Sequence, residues 1–462
     1  MRQVIKIILL VFLVLSCENN KIHISIQIEN SINDSINIYA NGIEKIIIKN
    51  NDIFKSTLDI PSGYYNLKHG NQTTKIYLVK GMDLKIKINN EEFDKSISFI
   101  GDYYNENNYL KQKSLFDERN KENFKEMFSK NEKDFIKNIS DLIEIRSTFI
   151  DSFENENKKL NRNFKKMELN DLNYRYFYYL FNYETAYKYY TKKEPLLSEA
   201  FLNDYENFDY LDDYSFKNST YYKSIVLSYF LNSEKFMLGE FKDLEDLSKS
   251  KSILIKEEVA NQGKYYLTSK IDNIDELYNL ILDLSSKTET KNELTKIYEN
   301  INKILPGNSS PEFINYENFL GGNNSMSDYY GKYIYIDVWA TWCGPCIREI
   351  PYFEEIQKIY ENKNIHFISI SIDDKKRPVY NYSKWLNYVK ENNLSGIHLF
   401  ADNAWNSDFI KAYNINSIPR YLLIDIDGKI ISADAPRPSD NDLLEKINSL
   451  KHINCDEKNC IV

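Results

Sequence analysis

Residues 335–346 read YIDVWATWCGPC and decide the fold of the C-terminal part of the chain. An apolar strand pattern runs as far as Trp339, the chain then turns, and a helix begins at the cysteines. Two residues separate Cys343 from Cys346, so both sulfurs fall in the first helical turn, close enough to form a disulfide. This spacing predicts a redox-active cysteine pair at the start of a helix.

The position of Cys343 at a helix N-terminus favours its thiolate form, because free backbone N–H groups and the helix dipole face the sulfur. Lowering a thiol pKa by about two units takes roughly 2.7 kcal/mol. A helix terminus supplies only about 0.3–1 kcal/mol, and up to ~2 kcal/mol. We therefore expect direct hydrogen bonds to this sulfur, including one from Cys346, to contribute as well.

Two other chemistries use similar patterns. A C-x-x-C pair can be half of a zinc site, but the other half would have to come from Cys455, Cys460 and His452 in the tail. A peroxidase needs a Pro-x-x-x-Thr-x-x-Cys run, and Trp339 occupies the position of that proline. We therefore predict redox chemistry and no metal site.

The parts of the chain around this stretch form an α/β pattern. From Pro311 onward, apolar strands alternate with amphipathic helices, which predicts a central sheet. The predicted strands are residues 332–338, 365–372, 421–426 and 429–432. Three helices are predicted: one that begins at the cysteine pair, one over residues 383–391 and one over residues 440–450. We assign residues 305–451 to this domain and residues 452–462 to a cysteine-containing tail. Residues 306–311 are predicted to be a linker.

The region before this domain divides into two zones. Residues 18–100 predict a small antiparallel β domain, because isoleucine occupies every second position of residues 22–28 and apolar residues alternate with lysines over residues 84–88. Asn41-Gly42 is a hairpin turn signal.

Residues 101–304 predict a mainly α-helical middle domain, because they contain few glycines and prolines. Residues 141–145 and 274–281 have helical spacing. The tyrosines of residues 174–190 have two interpretations, a platform for a carbohydrate or peptide, or packing between helices.

Composition limits the classes of function. The chain has 462 residues, which suggests two or three domains, and its net charge of -9 is spread along it. A nucleic-acid surface would need a basic stripe, so we expect no nucleic-acid partner. Five cysteines in 462 residues are too few for a fold that disulfide bonds hold together.

Residues 1–16 predict an export signal. Arg2 and Lys6 precede an apolar run over residues 7–15, which is too short for a bilayer that takes roughly 20 apolar residues. The run leads directly into Cys17 and resembles a bacterial lipobox, whose cysteine is lipidated; the alternative is an ordinary signal peptide with a chance cysteine. We predict a protein of the cell envelope or periplasm, anchored to a bacterial membrane through lipid at Cys17.

Residues 305–450 resemble the thioredoxin superfamily, and most of all its membrane-anchored TlpA/ResA-like branch, including multidomain lipoproteins of Bacteroidetes. The signature is residues 337–346, DVWATWCGPC. The other positions that carry the likeness are Arg348-Glu349, Pro351, Ser371-Ile372-Asp373, Ile418-Pro419-Arg420 and residues 435–439. The resemblance implies a multidomain chain with a C-terminal thioredoxin-like α/β fold.

The resemblance implies distinct roles for three residues. Cys343 would be the exposed nucleophile that attacks a substrate disulfide, and Cys346 would resolve the mixed disulfide. Asp337 would take or relay the proton of the resolving thiol; the alternative is a satisfied polar group at a strand end. No cofactor is implied beyond the Cys343–Cys346 disulfide.

The resemblance also implies a substrate-binding surface made of Trp342, Gly344, Pro345, Ile418 and Pro419. The Ile418–Pro419 bond is expected to be cis and to offer its backbone to an extended segment of a disulfide-bearing protein. Family members often have Thr before this proline, so Ile418 leaves the substrate preference open.

The Gly-Pro dipeptide is the one found in thioredoxin, so we expect a reductant, or an isomerase, supplied by a membrane electron donor. The best-known substrates of the family are the heme-attachment cysteines of c-type cytochromes. Cys455 and Cys460 are expected to form a local structural disulfide, with free thiols, a metal site or an electron relay as alternatives. A second hypothesis for the whole chain is a ligand- or partner-binding envelope lipoprotein with an accessory redox head.

Overall fold

The computed structural model describes residues 20–40, 42–201, 208–379 and 381–454. The predicted signal sequence and three of the cysteines, Cys17, Cys455 and Cys460, lie outside the described residues. Among the helices that are described, none has the length and apolar character needed to cross a bilayer.

The chain forms two compact units. The first comprises Met1–Tyr229 with Ser252–Ile255, and the second comprises Phe230–Lys251 with Lys256–Val462. The division falls inside the helical region, so the second unit holds several helices of that region as well as a whole second sheet. The domain boundaries given above stay predictions.

The first unit contains an eight-stranded sheet in the order β6-β5-β2-β3-β4-β1-β7-β8. Its strands are β1 Ile22–Glu29, β2 Ser35–Ala40, β3 Ile43–Asn50, β4 Ile53–Leu58, β5 Gly63–His69, β6 Gln72–Leu78, β7 Asp83–Asn89 and β8 Ser98–Gly101. The alternation in β1 and β7 is confirmed, because their apolar residues are buried and their polar residues are mostly not. The predicted hairpin is also confirmed, since Ala40 pairs with Ile43 across a turn in which Gly42 has a φ of 76°.

One pairing in this sheet differs from the antiparallel expectation. Strands β1 and β7 are parallel, with Ile24 opposite Leu84 and Ile26 opposite Ile86, whereas the other neighbouring strands are antiparallel. The pairing joins segments about sixty residues apart, and both carry the same two-residue alternation, so that their apolar side chains share one face of the sheet.

The middle region is helical, as predicted. The described helices of this region are Tyr104–Arg119, Phe124–Phe128, Glu132–Glu156, Arg162–Thr191, Asp213–Asn218, Thr220–Phe230, Ser233–Met237, Lys242–Lys249, Ile253–Gly263, Ile274–Leu284 and Thr288–Lys303, and a further short helix, Phe93–Ser96, precedes β8. The tyrosine cluster lies in the long helix Arg162–Thr191. Tyr179 and Tyr183 are buried there, and the Tyr183 ring stacks on Phe135 at 4.2 Å between centroids, so packing is the correct interpretation for these two.

The second unit contains a seven-stranded sheet in the order β10-β9-β13-β12-β11-β14-β15. Its strands are β9 Tyr316–Asn318, β10 Asn323–Asn324, β11 Tyr333–Trp339, β12 Ile365–Ser371, β13 Ile397–Phe400, β14 Arg420–Ile424 and β15 Ile430–Ser432. Strands β11, β12 and β13 are parallel, and β14 runs antiparallel to β11. All seven residues of β11 are buried, as expected for a central strand covered on both faces.

Helices cover both faces of this sheet. Gly344–Ile359 and Asn441–Asn448 pack on the face that carries Tyr335, Phe367 and Leu423. The helices Tyr382–Glu391 and Asp408–Ala412 pack on the opposite face. This layered α/β arrangement confirms the fold predicted for the C-terminal part of the chain.

The prediction of a linker over residues 306–311 is wrong. The Gly307 N–H donates to the Ile430 carbonyl at 2.8 Å, and the Ile430 N–H donates to the Asn308 carbonyl at 2.8 Å. The Ser310 N–H donates to the Gly428 carbonyl at 2.9 Å. The prolines and glycine that indicate a linker instead shape an extended segment that is paired with the turn and strand after β14.

Candidate active site

The cysteine pair lies where β11 passes into the helix Gly344–Ile359. Cys343 is the N-cap residue of this helix, and Pro345 stands in its first turn, where a missing N–H costs nothing. The Cys346 N–H donates to the Cys343 Sγ at 3.1 Å. The hydrogen bond that the sequence predicts to this sulfur is therefore present. The two cysteines are joined as a disulfide, with their Cα atoms 5.2 Å apart.

The expectation that Cys343 is exposed is wrong for this oxidised form. Its relative exposure is 4%, and that of Cys346 is 1%. Both sulfurs belong to the apolar core on one face of the sheet, against which Trp342, Trp405 and Ile418 also pack. These partly buried side chains therefore restrict the access of a substrate to Cys343.

A buried carboxylate that sequence reasoning missed holds the loop before the cysteines. Asp373 accepts the Thr341 N–H at 2.9 Å, the Thr341 hydroxyl at 2.8 Å and the Ser371 hydroxyl at 2.8 Å. Asp373 is fully buried, so these charge-assisted hydrogen bonds are not shared with solvent. Thr341 lies two residues before Cys343, so these hydrogen bonds fix the position of the backbone that leads into the helix. In the sequence, only the Ser371-Ile372-Asp373 motif drew attention to this carboxylate.

Asp337 lies in β11, beneath the helix that begins at the cysteines. The side chain is 4% exposed, and its Oδ1 has no hydrogen-bond partner among the described residues. This is contrary to the alternative of a satisfied polar group. Burial, and to a lesser extent the nearby Glu349 carboxylate, raise the pKa of Asp337 well above its ordinary value. Cys346, Ile350 and Phe353 follow at helical spacing, and the last two line a small cavity together with Asp337, which places Cys346 on the helix face directed at this carboxyl group.

The raised pKa of Asp337 makes stability depend on pH. Its folded pKa lies above the unfolded value of about 3.9, so the wild-type chain loses stability as pH rises from about 4 through the folded pKa. Asp337→Asn carries no charge to desolvate. We expect this variant to be more stable than wild type by more than ~1 kcal/mol at pH 8, and the difference to vanish near pH 4.

Urea unfolding of the oxidised chain, followed by tryptophan fluorescence, measures this difference. All four tryptophans lie between residues 339 and 405, so the signal comes from the second unit. Asp427→Asn, at an exposed turn position, is the matched control and should change stability by less than ~0.5 kcal/mol at either pH. A stability difference for Asp337→Asn that stays constant between pH 4 and pH 8 would contradict the assignment.

The predicted substrate-binding residues meet at one end of the sheet. The Ile418–Pro419 bond is cis, as expected from the sequence. Arg420 pairs with Val338, so Pro419 lies beside the end of β11 from which the chain runs to Trp342 and Cys343. The roles of Trp342, Gly344, Pro345, Ile418 and Pro419 in binding remain predictions.

Two further residues border this region, and the sequence predicted neither contact. The rings of Trp342 and Trp405 lie 6.3 Å apart, so Trp405 extends the aromatic surface next to the cysteines. Glu349 accepts the N–H and the hydroxyl of Ser439 at 3.1 and 3.0 Å, which ties the proline-rich segment at residues 435–439 to the helix. Both contacts join segments more than sixty residues apart.

Comparison with known proteins gives matches in the C-terminal part of the chain. The Redoxin family model matches residues 305–447. The thiol-disulfide oxidoreductase ResA of Bacillus thuringiensis subsp. konkukian is 30% identical over 129 residues, which are 28% of this chain and 69% of that protein. ResA of Geobacillus thermodenitrificans is 26% identical over 148 residues, 32% of this chain and 79% of that protein. A solved thiol-disulfide oxidoreductase from Bacteroides fragilis is 25% identical, and the match covers 30% of this chain and 98% of that one with a TM-score of 0.27.

The extent of the ResA match and the fold of the second unit both indicate one family of proteins. Residues 305–447 carry the family match, and within them a cysteine pair begins a helix at the end of a central strand. The chain therefore belongs to the TlpA/ResA-like thiol-disulfide oxidoreductases of the thioredoxin superfamily.

Proposed function

We propose that this enzyme reduces disulfide bonds in proteins of a bacterial cell envelope, and that the Cys343–Cys346 dithiol is the reductant. The observation that carries the proposal is the position of the Cys343 sulfur at a helix N-terminus, where it accepts the Cys346 N–H. That hydrogen bond and the helix dipole favour the thiolate form of Cys343, which is the nucleophilic form of a cysteine.

The proposed reaction has two exchange steps. The Cys343 thiolate attacks a substrate disulfide, forms a mixed disulfide and expels one substrate thiolate. Cys346 then gives up its proton to Asp337 and attacks the Cys343 sulfur, which releases the second substrate thiolate and forms the Cys343–Cys346 disulfide. Two electrons pass to the substrate, so a membrane electron donor has to return two electrons to the enzyme before the next cycle.

The direction of electron flow is tested by the redox potential. We expect the Cys343–Cys346 couple to have a potential of about -270 mV, as for thioredoxin, because the dipeptide between the cysteines is Gly344-Pro345. The measurement is equilibration of the full chain with glutathione buffers, with the fraction of dithiol read by thiol alkylation, alongside reduction of insulin. A potential above roughly -180 mV would indicate an oxidant and contradict the reductant proposal.

The proposed location rests on the first seventeen residues, whose pattern predicts an export signal that leads into Cys17. In the envelope, oxidised cysteine pairs are common substrates, since disulfides form and persist there. Heme-attachment cysteines of c-type cytochromes are one substrate class that we propose, because such cysteines have to be reduced before heme attachment.

A second candidate function is binding of a partner by the first unit. This unit has its own eight-stranded sheet and its own apolar core, and it lies outside the residues that match the Redoxin family. A partner that the Cys343→Ser variant still retains would be bound by such a surface rather than by disulfide exchange.

A further inference from the structure

A row of polar side chains crosses the second sheet at the level of Asp337. Tyr421 in β14 is opposite Asp337 in β11, Asp337 is opposite Ser369 in β12, and Ser369 is opposite His398 in β13. Residues paired in register point to the same face of a sheet, so the four side chains lie side by side. All four are buried, and the helix Gly344–Ile359 covers this face.

Three members of this row leave a buried polar atom without a partner among the described residues. These atoms are the Asp337 Oδ1, the His398 Nδ1 and the Tyr421 hydroxyl oxygen. Buried polar atoms are paired in the large majority of cases, and leaving one unpaired costs about 1–3 kcal/mol. Their concentration in one row therefore indicates a purpose other than stability.

The space between Asp337 and His398 suits passage of a proton. Both side chains, together with Ser369, line a cavity of about 10 Å³, which is room for about one water molecule. Two strand spacings separate β11 from β13, roughly 10 Å, so the two groups are too far apart for a direct hydrogen bond. Ser369 lies between the two groups in register, so its hydroxyl together with one water molecule in the cavity can bridge that distance.

The hydrogen bond of His398 fixes which ring nitrogen is free to accept a proton. Its Nε2 lies 2.9 Å from the Ser395 carbonyl oxygen, so Nε2 carries the hydrogen and donates it. The Nδ1 then has its lone pair available, and it is the atom without a partner. Beyond the ring, Ser395 is exposed, and its N–H donates to the Glu354 carboxylate at 3.1 Å. The ring thus stands between the interior and the surface.

We propose that His398 is a positioning residue that acts through Asp337, relaying the proton of Cys346 from Asp337 to the surface during resolution of the mixed disulfide. This inference rests on the proposed function. In the step, the Cys346 thiol loses its proton to Asp337 as its sulfur bonds to the Cys343 sulfur and the substrate thiolate leaves. Asp337 passes the proton through the cavity to the His398 Nδ1, and the Nε2 proton leaves toward Glu354 and solvent, so no charge accumulates in the interior.

The electrostatics of the two groups support this route. Burial raises the pKa of Asp337, which makes its carboxylate a better acceptor for the Cys346 proton, and burial lowers the pKa of His398, which makes its ring a readier donor toward the surface. The groups that face His398 are Glu354 on the covering helix and the carbonyls of residues 394 and 395, each of which raises its pKa. On its other side the ring contacts Phe319, which is uncharged.

The test is the rate of resolution in the full-length chain. His398→Gln keeps a donor for the Ser395 carbonyl but has no group that accepts a proton. We expect release of the second substrate thiol, measured in a single turnover by stopped flow, to slow by about 10²-fold at pH 6 to 7. The difference should shrink as pH rises, because the Cys346 thiolate then forms without help, and the redox potential should not change. His366→Gln, in the same sheet but facing the opposite side, is the matched control and should leave the rate unchanged.

A double variant separates a relay from a structural effect. If His398 acts through Asp337, His398→Gln should cause no further loss in the rate of resolution when Asp337→Asn is already present. A structural defect would instead lower this rate by the same factor with and without Asp337→Asn. A pH profile of His398→Gln that coincides with wild type, or equal losses in both backgrounds, overturns the inference. A wild-type chain that reduces no disulfide overturns the proposed function instead.

One measurement needs no variant. Nitrogen NMR of the wild-type chain should show His398 as the neutral tautomer with the hydrogen on Nε2. A hydrogen on Nδ1 would remove the proton acceptor and overturn the relay even if His398→Gln did not fold.

Discussion

Replacing Cys346 with alanine is expected to leave a chain that attacks disulfides but cannot release the product. Cys343 keeps its place as the N-cap residue, and the backbone N–H of residue 346 still faces its sulfur, so the nucleophile is preserved. The mixed disulfide has no internal thiol to resolve it. Turnover with a dithiol substrate should fall by at least ~10³-fold, the order of loss that removing a reacting group causes.

The measurement is non-reducing electrophoresis of Cys346→Ala after exposure to envelope extract or to oxidised insulin. Adducts that disappear on addition of a reductant are expected. Cys343→Ala is the matched control, because it removes the attacking sulfur and should give no adducts. Equal adduct formation by both variants would show that Cys343 is not the attacking residue.

Replacing Asp373 with alanine is expected to destabilise the second unit and to displace the loop that carries Cys343. The variant loses three buried hydrogen bonds and leaves the Thr341 N–H and two hydroxyl groups without their acceptor. A hydrogen bond to a charged group contributes about 1.5–3 kcal/mol net, and unsatisfied buried partners add to the cost. We expect a loss of about 3 kcal/mol or more in the free energy of unfolding, together with slower attack by Cys343.

Tryptophan fluorescence during urea unfolding measures the first effect, and the rate of insulin reduction measures the second. Asp374→Ala is the matched control, since this neighbour is only partly buried and binds the N–H of Lys376. Its change should stay within ~0.5 kcal/mol. If Asp373→Ala were as stable and as active as Asp374→Ala, Asp373 would not hold the loop.

The central strands of the second sheet could be predicted because their signal is local. Strands β11 and β12 are mainly apolar runs, and both lie within one residue of the predicted limits. Strands β9, β10 and β13 were not predicted. They have two to four residues each, and two of them are polar, so no periodicity marks them.

The cysteine pair could likewise be found from local spacing, whereas its surroundings could not. Asp373 contacts a residue 32 positions earlier in the chain, and the row from Tyr421 to His398 exists only because of the register of four strands. Strand register between distant segments follows from how the whole sheet packs, and a one-residue shift would turn these side chains to the other face. The burial of Cys343 was missed for a related reason, since it depends on Trp342, Trp405 and Ile418 gathering from three segments.

The pairing of residues 307–310 has a practical consequence for dividing this chain. Strand β15 ends the seven-stranded sheet, and the backbone groups of Ile430 on its outer side are occupied by Gly307 and Asn308. A fragment that began after Ser310 would uncover this strand, and unpaired edge strands are templates for pairing with other chains and for aggregation. The proline-containing segment thus covers a sheet edge, and a fragment of the redox domain has to begin upstream of Gly307 to keep that edge paired.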